Sequence, residues 1–222
     1  MSQLALNQSL WSQFGAALEM FEESIQTCPK EVWDSNPIFS FQAYHSLFFL
    51  DYYLTIQPKG FAPPDRFSYS EFDEEPQIVT FSQESLLDYL AACKEKARNL
   101  IEGLDEQLAE QRWINESKTM DYSIFEILLY NLRHVQHHVG QFNLLLRQHI
   151  DNAPEWIEKS RSWNNWMLGE FFWSIGYKIV QSTKYQVQCI FPLKVDFKMD
   201  EQNYTATTTP YLVLCILYFV LR

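Results

Sequence analysis

Two histidines in the second half of the chain, His134 and His138, are four positions apart. On a helix this spacing places both side chains on one face, about 5–6 Å apart at Cβ, and two imidazoles so placed can bind one metal ion. His45 is the only other histidine that precedes residue 134. Three neutral imidazoles around a divalent cation leave a coordination position open for water or a substrate. The histidines therefore predict a metal centre formed by His45, His134 and His138.

Polar residues around the paired histidines interrupt an otherwise apolar helical stripe. The ends of this stripe are apolar, while its middle carries Asn131, His134, His138 and Gln141. Burying a polar group without a hydrogen-bond partner costs roughly 1–3 kcal/mol. We therefore expect these four polar side chains to interact with something that the protein binds. Together with Tyr130, the side chains of Asn131 and Gln141 are expected to line the pocket or to orient a ligand.

The two remaining histidines, His137 and His149, are expected outside the metal centre. His137 is turned about 100° around the helix from His138. His149 lies near the C-terminus of the same helix, where the helix dipole favours a cation. We therefore expect His137 either at the surface or behind the metal ligands, and a structural role for His149.

The elements that would position these residues are four helices within residues 1–158, which predicts an all-α, four-helix-bundle fold. The first helix is expected over about 2–27 and the second over about 37–56, because apolar residues in both recur at steps of three and four. The second helix is apolar on nearly all sides, so it should be the most buried. Its inward seam is expected to carry Ile38, Phe41, His45, Phe48 and Tyr52. Helix three is expected to open at Ser82, a good N-cap residue.

The fourth predicted helix, from near Asp121 to about His149, carries the paired histidines. One of its stripes is wholly apolar and should face the core: Leu128, Leu132, Val135, Val139, Phe142 and Leu146. Between helices two and three, residues 57–80 contain four prolines. This segment is too long for a tight turn, so it predicts a long crossover along the bundle.

The residues around the predicted metal ligands resemble a known family. Residues 131–141 read Asn-Leu-Arg-His-Val-Gln-His-His-Val-Gly-Gln and are similar to the HxxxHxGQ signature of the DinB/YfiT-like superfamily. Residues 41–53 resemble the second-helix motif of that family, and the segments 112–116 and 121–123 also read like its members. The resemblance covers roughly residues 1–158.

This resemblance implies a four-helix bundle that holds a divalent metal ion, usually zinc or nickel, on three histidines that match His45, His134 and His138. Characterised relatives include thiol-dependent S-transferases that use low-molecular-weight thiols, and a mycothiol-dependent isomerase. The function it implies is a metal-dependent transferase that activates a small thiol or water. The alternative is a non-catalytic metal- or ligand-binding stress-response protein, expected as a homodimer, because no second catalytic residue is evident near the three histidines.

The charge and the cysteines exclude several other functions. With 17 basic and 28 acidic residues the chain has a net charge of −11, which argues against binding to nucleic-acid phosphates. The four cysteines are far apart and form no CxxC motif, so neither a disulfide framework nor a zinc ribbon is indicated. Residues 1–14 lack the features of a signal peptide. These observations predict a cytoplasmic protein.

Residues 159–222 are predicted to form a C-terminal extension of uncertain structure, to which no function is assigned. Residues 160–222 carry 6 basic and 4 acidic residues, against 11 and 24 in residues 1–159. Residues 187–197 alternate as a strand does. The apolar run at residues 211–221 is shorter than the roughly 18–20 residues needed to cross a bilayer, so no transmembrane span is expected.

Overall fold

The computed structural model describes residues 2–67, 69–73 and 79–161. Most of this described part is helical, which confirms the all-α prediction in its broad form. The helices are α1 (Gln3–Thr27), α2 (Lys30–Ser35), α3 (Pro37–Leu54), α4 (Gln83–Glu102), α5 (Glu106–Glu110) and α6 (Ile124–Ile150). Two short antiparallel strands, β1 (Arg112–Ile114) and β2 (Asp121–Ser123), pair with Trp113 opposite Tyr122. The sequence did not predict α2, α5 or the strand pair.

An N-cap residue precedes each of the four long helices, and its side chain accepts a hydrogen bond from a backbone N–H of the first turn. These caps are Ser2, Asn36, Ser82 and Ser123, residue types that favour this position. The predicted start of helix three at Ser82 is confirmed. The predicted start of helix four near Asp121 is about three residues too early, because residues 121–123 pair with β1 before the helix begins.

The four long helices pack so that α1 and α3 each contact both α4 and α6. In α3, 11 of 18 residues are buried, the largest share among the four, as its uniformly apolar sequence predicts. Its N-terminal end differs from the prediction. Ile38 and Phe41, expected on the inward seam, are 42% and 37% exposed, because the seam turns into the core only from the next turn onward.

The apolar stripe of α6 faces the core as predicted. Phe142 is fully buried and makes ring contacts with Phe21 of α1, Trp33 of α2 and Phe39 of α3. The other members of the stripe are buried, except that Leu132 is half-buried: Leu128, Leu132, Val135, Val139 and Leu146. This packing fixes the rotation of α6 about its axis, and with it the direction in which the neighbouring histidine stripe points.

The connection between α3 and α4 is fastened to α3. The hydroxyl of Tyr44 donates to the carbonyl of Tyr69. Further along, the backbone N–H of Phe81 donates to Oγ of Ser40 at 2.6 Å. These bonds hold the connection beside the helix that carries His45.

The residues that follow α6 are anchored to the middle of α1. The backbone N–H of Ser160 donates to the carbonyl of Ser12 at 2.9 Å, and its hydroxyl donates to Glu19 Oε1 at 2.6 Å. The backbone N–H of Arg161 donates to Glu19 Oε2 at 2.9 Å. A Cβ atom on Gly15 would lie 2.7 Å from Oγ of Ser160, so glycine permits this close approach.

Several sequence-based expectations fall beyond this part. The alternating segment 187–197, the apolar run 211–221, Cys189 and Cys215 lie outside the described residues. No helix among the described residues has both the length and the apolar character required to cross a membrane. The predicted domain limit at residue 158 stays a prediction.

Candidate metal centre

Three histidines meet where α3 packs against α6. His45 comes from α3, and His134 and His138 come from successive turns of α6. One ring nitrogen of each lies within 4.8 Å of the others, and Nε2 of His134 is 3.0 Å from Nε2 of His138. Ligand nitrogens of a tetrahedral zinc site are about 3.3 Å apart, given Zn–N bonds of about 2.0–2.1 Å. The structure therefore brings the three predicted ligands together at a separation that small ring movements convert to coordination.

His45 is oriented by a carboxylate that sequence reasoning missed. Oε2 of Glu71, in the connection between α3 and α4, lies 3.1 Å from Nδ1 of His45, and the Glu71 side chain is only 10% exposed. A carboxylate accepts the Nδ1–H of a neutral imidazole and leaves Nε2 unprotonated, which is the usual support of a metal-binding histidine. No periodic pattern connects Glu71 to His45, so this pair could not be predicted from the residue spacing.

Two glutamines surround the outer nitrogen of His138. Nδ1 of this ring lies 2.9 Å from Oε1 of Gln141 and 2.6 Å from Nε2 of Gln42. When Nδ1–H donates to Gln141, Nε2 keeps a free lone pair for a metal ion. When the Gln42 amide instead donates to Nδ1, the ring proton moves to Nε2, where it faces His134. Gln42 lies three residues before His45 on α3, so the two side chains are neighbours on one helical face. This spacing is visible in the sequence and could have indicated Gln42 as a residue of the site.

His134 is surrounded by aromatic rings. Its ring contacts Phe49 and Tyr53 of α3, with centroids 5.8 and 5.6 Å away. Tyr130, predicted to lie at the pocket, contacts Tyr53 at 5.1 Å, so it supports the wall around His134 from behind. The aromatic wall limits access of water to this side of the site.

Burial keeps two of the rings neutral. The pKa of His134 is lowered to about 3, first because burial disfavours the charged imidazolium and then because His138 and His45 are close. The pKa of His138 is lowered to about 4, again mainly by burial and then by His45. Both rings are therefore unprotonated at neutral pH, the form that metal binding requires.

Three buried polar atoms near the site have no hydrogen-bond partner among the described residues. They are Oε1 of Glu71, Nδ1 of His134 and Oδ1 of Asn131. Asn131, predicted as a pocket residue, donates through Nδ2 to the carbonyl of Leu50 at 3.0 Å and so joins α6 to α3. Unpaired buried polar groups lower the stability of the folded protein. Three of them close to the histidines indicate that this region serves to bind a ligand.

The other two histidines lie away from the centre. His137 is exposed, and its ring centroid lies 5.1 Å from that of His138. His149 donates from Nδ1 to the carbonyl of Leu145 at 2.8 Å, and its Nε2 lies 3.1 Å from the amide nitrogen of Asn36. Both ring nitrogens of His149 are thus used within the protein.

The donor set fits a borderline divalent metal ion. Imidazole nitrogens suit zinc, nickel, copper and iron, whereas magnesium and calcium prefer oxygen ligands. The carboxylate behind His45 and the amide oxygen behind His138 supply the outer hydrogen bonds that such sites use. The residues present therefore fit a zinc or nickel ion.

Comparison of the chain with protein-family models, with curated proteins and with solved structures finds no significant match. The resemblance to the DinB/YfiT-like group consequently stays a prediction based on the histidine motifs.

Proposed function

We propose that this chain is a divalent-metal-binding protein of the DinB/YfiT-like type, with zinc or nickel held by His45, His134 and His138. The observation that carries the proposal is the convergence of three ring nitrogens, from two different helices, within 4.8 Å. Helix packing alone would be served better by apolar residues at these positions. Glu71 and Gln141 add support, because each can accept a hydrogen bond from the outer ring nitrogen of its histidine, which leaves the inner nitrogen free to bind a metal ion.

We also infer that the four long helices form the four-helix bundle of that type, with the connection between α3 and α4 as the predicted crossover between its second and third helices. The mutual packing of α1, α3, α4 and α6 supports this inference. In bundles with this plan, sites are formed by side chains that project inward from facing helices, as His45 and the paired histidines do here.

The activity we propose is transfer of a small thiol, or of water, to an electrophilic substrate. When bound, a divalent ion on three neutral imidazoles acts as a Lewis acid that makes a thiol or water nucleophilic at neutral pH. The protein's own residues align the rings, through Glu71, Gln141 and the aromatic wall at Phe49 and Tyr53. Burial keeps His134 and His138 unprotonated.

The thiol is expected to come from the substrate and not from the described part of the chain. Cys28 and Cys93 are both buried. Burial raises the pKa of Cys28 to about 11 and raises that of Cys93 well above its usual value. A buried thiol that stays protonated at neutral pH is a poor nucleophile.

The proposal is tested by elemental analysis of protein purified without added metal, followed by assays of thiol transfer to a panel of electrophiles. We expect about one zinc or nickel ion per chain and turnover that is lost in His134→Ala. His137 lies three residues after His134 on the same helix and is exposed. His137→Ala therefore serves as the matched control and should retain both metal and turnover.

The outcomes separate the two candidate functions. Bound metal without turnover across the panel would favour the non-catalytic metal- or ligand-binding alternative, for which a homodimer in solution is expected. Equal metal content in the wild type and in His134→Ala would overturn metal binding at this site altogether.

A further inference from the structure

A cavity of about 370 Å³, within the range of small-molecule sites, lies between α3, the connection that follows it and the β1–β2 turn. Three aromatic side chains line it: Tyr52 of α3, and Phe61 and Phe72 of the connection. The Tyr52 ring is 5.3 Å from Phe61 and 4.9 Å from Phe72, centroid to centroid, and the two phenylalanines are 6.5 Å apart. Three rings thus border one space, and Phe72 remains 50% exposed at its rim.

A carboxylate completes the lining. Glu116, in the β1–β2 turn, borders the cavity and forms no ion pair or hydrogen bond with any described residue. Its neighbour Asn115 is held firmly: the side chain donates to Ser117 at 2.9 Å and accepts the backbone N–H of Met120 at 2.9 Å. The turn therefore presents Glu116 from a fixed backbone, with its negative charge unused by the described part of the protein.

The position of Glu116 relative to the rings agrees with this description. Its negative charge contributes, after burial, to raising the pKa of Tyr52, as expected when a carboxylate stands near a phenol. The cavity also neighbours the metal centre, since the ring of Phe49 contacts both Phe72 at 5.9 Å and His134 at 5.8 Å.

We propose that this cavity binds a small organic cation, such as a quaternary or tertiary ammonium group. The faces of aromatic rings attract cations within about 6 Å of the centroid, and Glu116 supplies the opposite charge. The net charge of −11 further raises the local concentration of cations near the protein. A neutral apolar group of the same shape would gain from the rings but not from the carboxylate, and an anion would be repelled by it.

The test compares choline with dimethylbutanol, its neutral isostere in which carbon replaces the ammonium nitrogen. Calorimetric titrations use the full chain treated with a chelator, so the result does not depend on the proposed metal. We expect saturable binding of choline, about fivefold or more tighter than that of dimethylbutanol, a ratio in the range of cation–π and charge contributions. Added salt should weaken choline binding and leave dimethylbutanol unaffected.

Variants link the preference to the cavity. Glu116→Gln should reduce the choline preference at least threefold. Phe72→Leu, which removes a half-exposed ring but keeps an apolar side chain, should reduce choline binding to a similar degree. Glu95→Gln, an exposed carboxylate on α4, is the matched control and should change nothing. Equal affinity for choline and dimethylbutanol, absence of saturable choline binding, or equal losses in Glu95→Gln and Glu116→Gln would each overturn the proposal.

Discussion

Glu71 and His45 are 26 positions apart in the chain, yet Oε2 of the glutamate lies 3.1 Å from Nδ1 of the histidine. One partner is on a helix and the other is in an irregular connection. The direction and tautomer of His45 therefore depend on how residues 69–73 lie against α3. The hydrogen bond from Tyr44 to Tyr69, two residues before Glu71, makes that placement part of the folded core.

Replacing Glu71 by glutamine should weaken metal binding although no proposed ligand changes. The amide keeps the size of the side chain but loses the charge that favours Nδ1–H on His45, so we expect zinc affinity to fall about 10- to 100-fold. Competition with a chromogenic chelator at pH 7 measures this change. Glu95→Gln, on an exposed face of α4, should bind zinc as the wild type does. An unchanged affinity in Glu71→Gln would refute a supporting role for this carboxylate.

The three central histidines should behave as one unit in single alanine variants. His45→Ala, His134→Ala and His138→Ala should each lose most of the bound metal and the stabilisation that the metal provides, because an ion that binds only the folded state raises its stability. His137→Ala and His149→Ala should keep both. Metal content and the shift in melting temperature on adding a chelator are the readouts. Full metal retention in His45→Ala would rule out the three-residue site.

The stability of the metal-free protein should decrease as the pH falls from about 6.5 to about 4. In the unfolded chain a histidine binds its proton near pH 6.5, whereas the folded-state pKa is about 3 for His134 and about 4 for His138. Between these values the unfolded state holds more protons, so acid lowers the free energy of unfolding. The slope stays below about 1.4 kcal/mol per pH unit for each ring, because each ring binds at most one proton.

Urea unfolding with a chelator present, at pH values from 4 to 7, measures this slope. Other groups also titrate in this range, so the informative quantity is the difference between variants. The double variant His134→Gln/His138→Gln should show a shallower dependence than the wild type, whereas His137→Gln/His149→Gln should not. Parallel curves for the wild type and the first double variant would contradict the lowered pKa values.

Cys28 and Cys93 should react slowly with thiol reagents in the native protein. Their pKa values are raised by burial, that of Cys28 to about 11, so very little thiolate exists at pH 8. In a Cys189→Ser/Cys215→Ser background, we expect both thiols to be labelled within minutes only after unfolding in denaturant. Rapid labelling of either thiol in the native state would show that its site opens readily. That cysteine would then again be a candidate nucleophile.

The sequence predicted the long helices and the three central histidines because both depend on regular spacing. Residues that repeat at steps of three and four define a helical face, and the apolar stripe of α6 fixes which neighbouring stripe can meet α3. His134 and His138 could therefore be placed on one face without a structure. His45 could be paired with them because it was the only histidine left on an apolar seam.

The missed features depend on contacts that have no period. Glu71 and Glu116 lie in irregular segments, whose paths are set by tertiary packing and not by local pattern. The strands at residues 112–114 and 121–123 are three residues long, too short for alternation to be recognised. Their pairing also explains the late start of α6, which the N-cap preference of Ser123 alone did not reveal.

The attachment of Ser160 and Arg161 to α1 has a mechanical consequence. A pull on the chain from beyond Arg161 would reach the backbone of Ser12 and the carboxylate of Glu19 before it reached α6. The load would fall first on α1, which packs against α6 and would share it through that contact. The hydrogen bonds of Ser160 and Arg161 would have to break before the C-terminal end of α6, the helix that carries His134 and His138, was pulled directly.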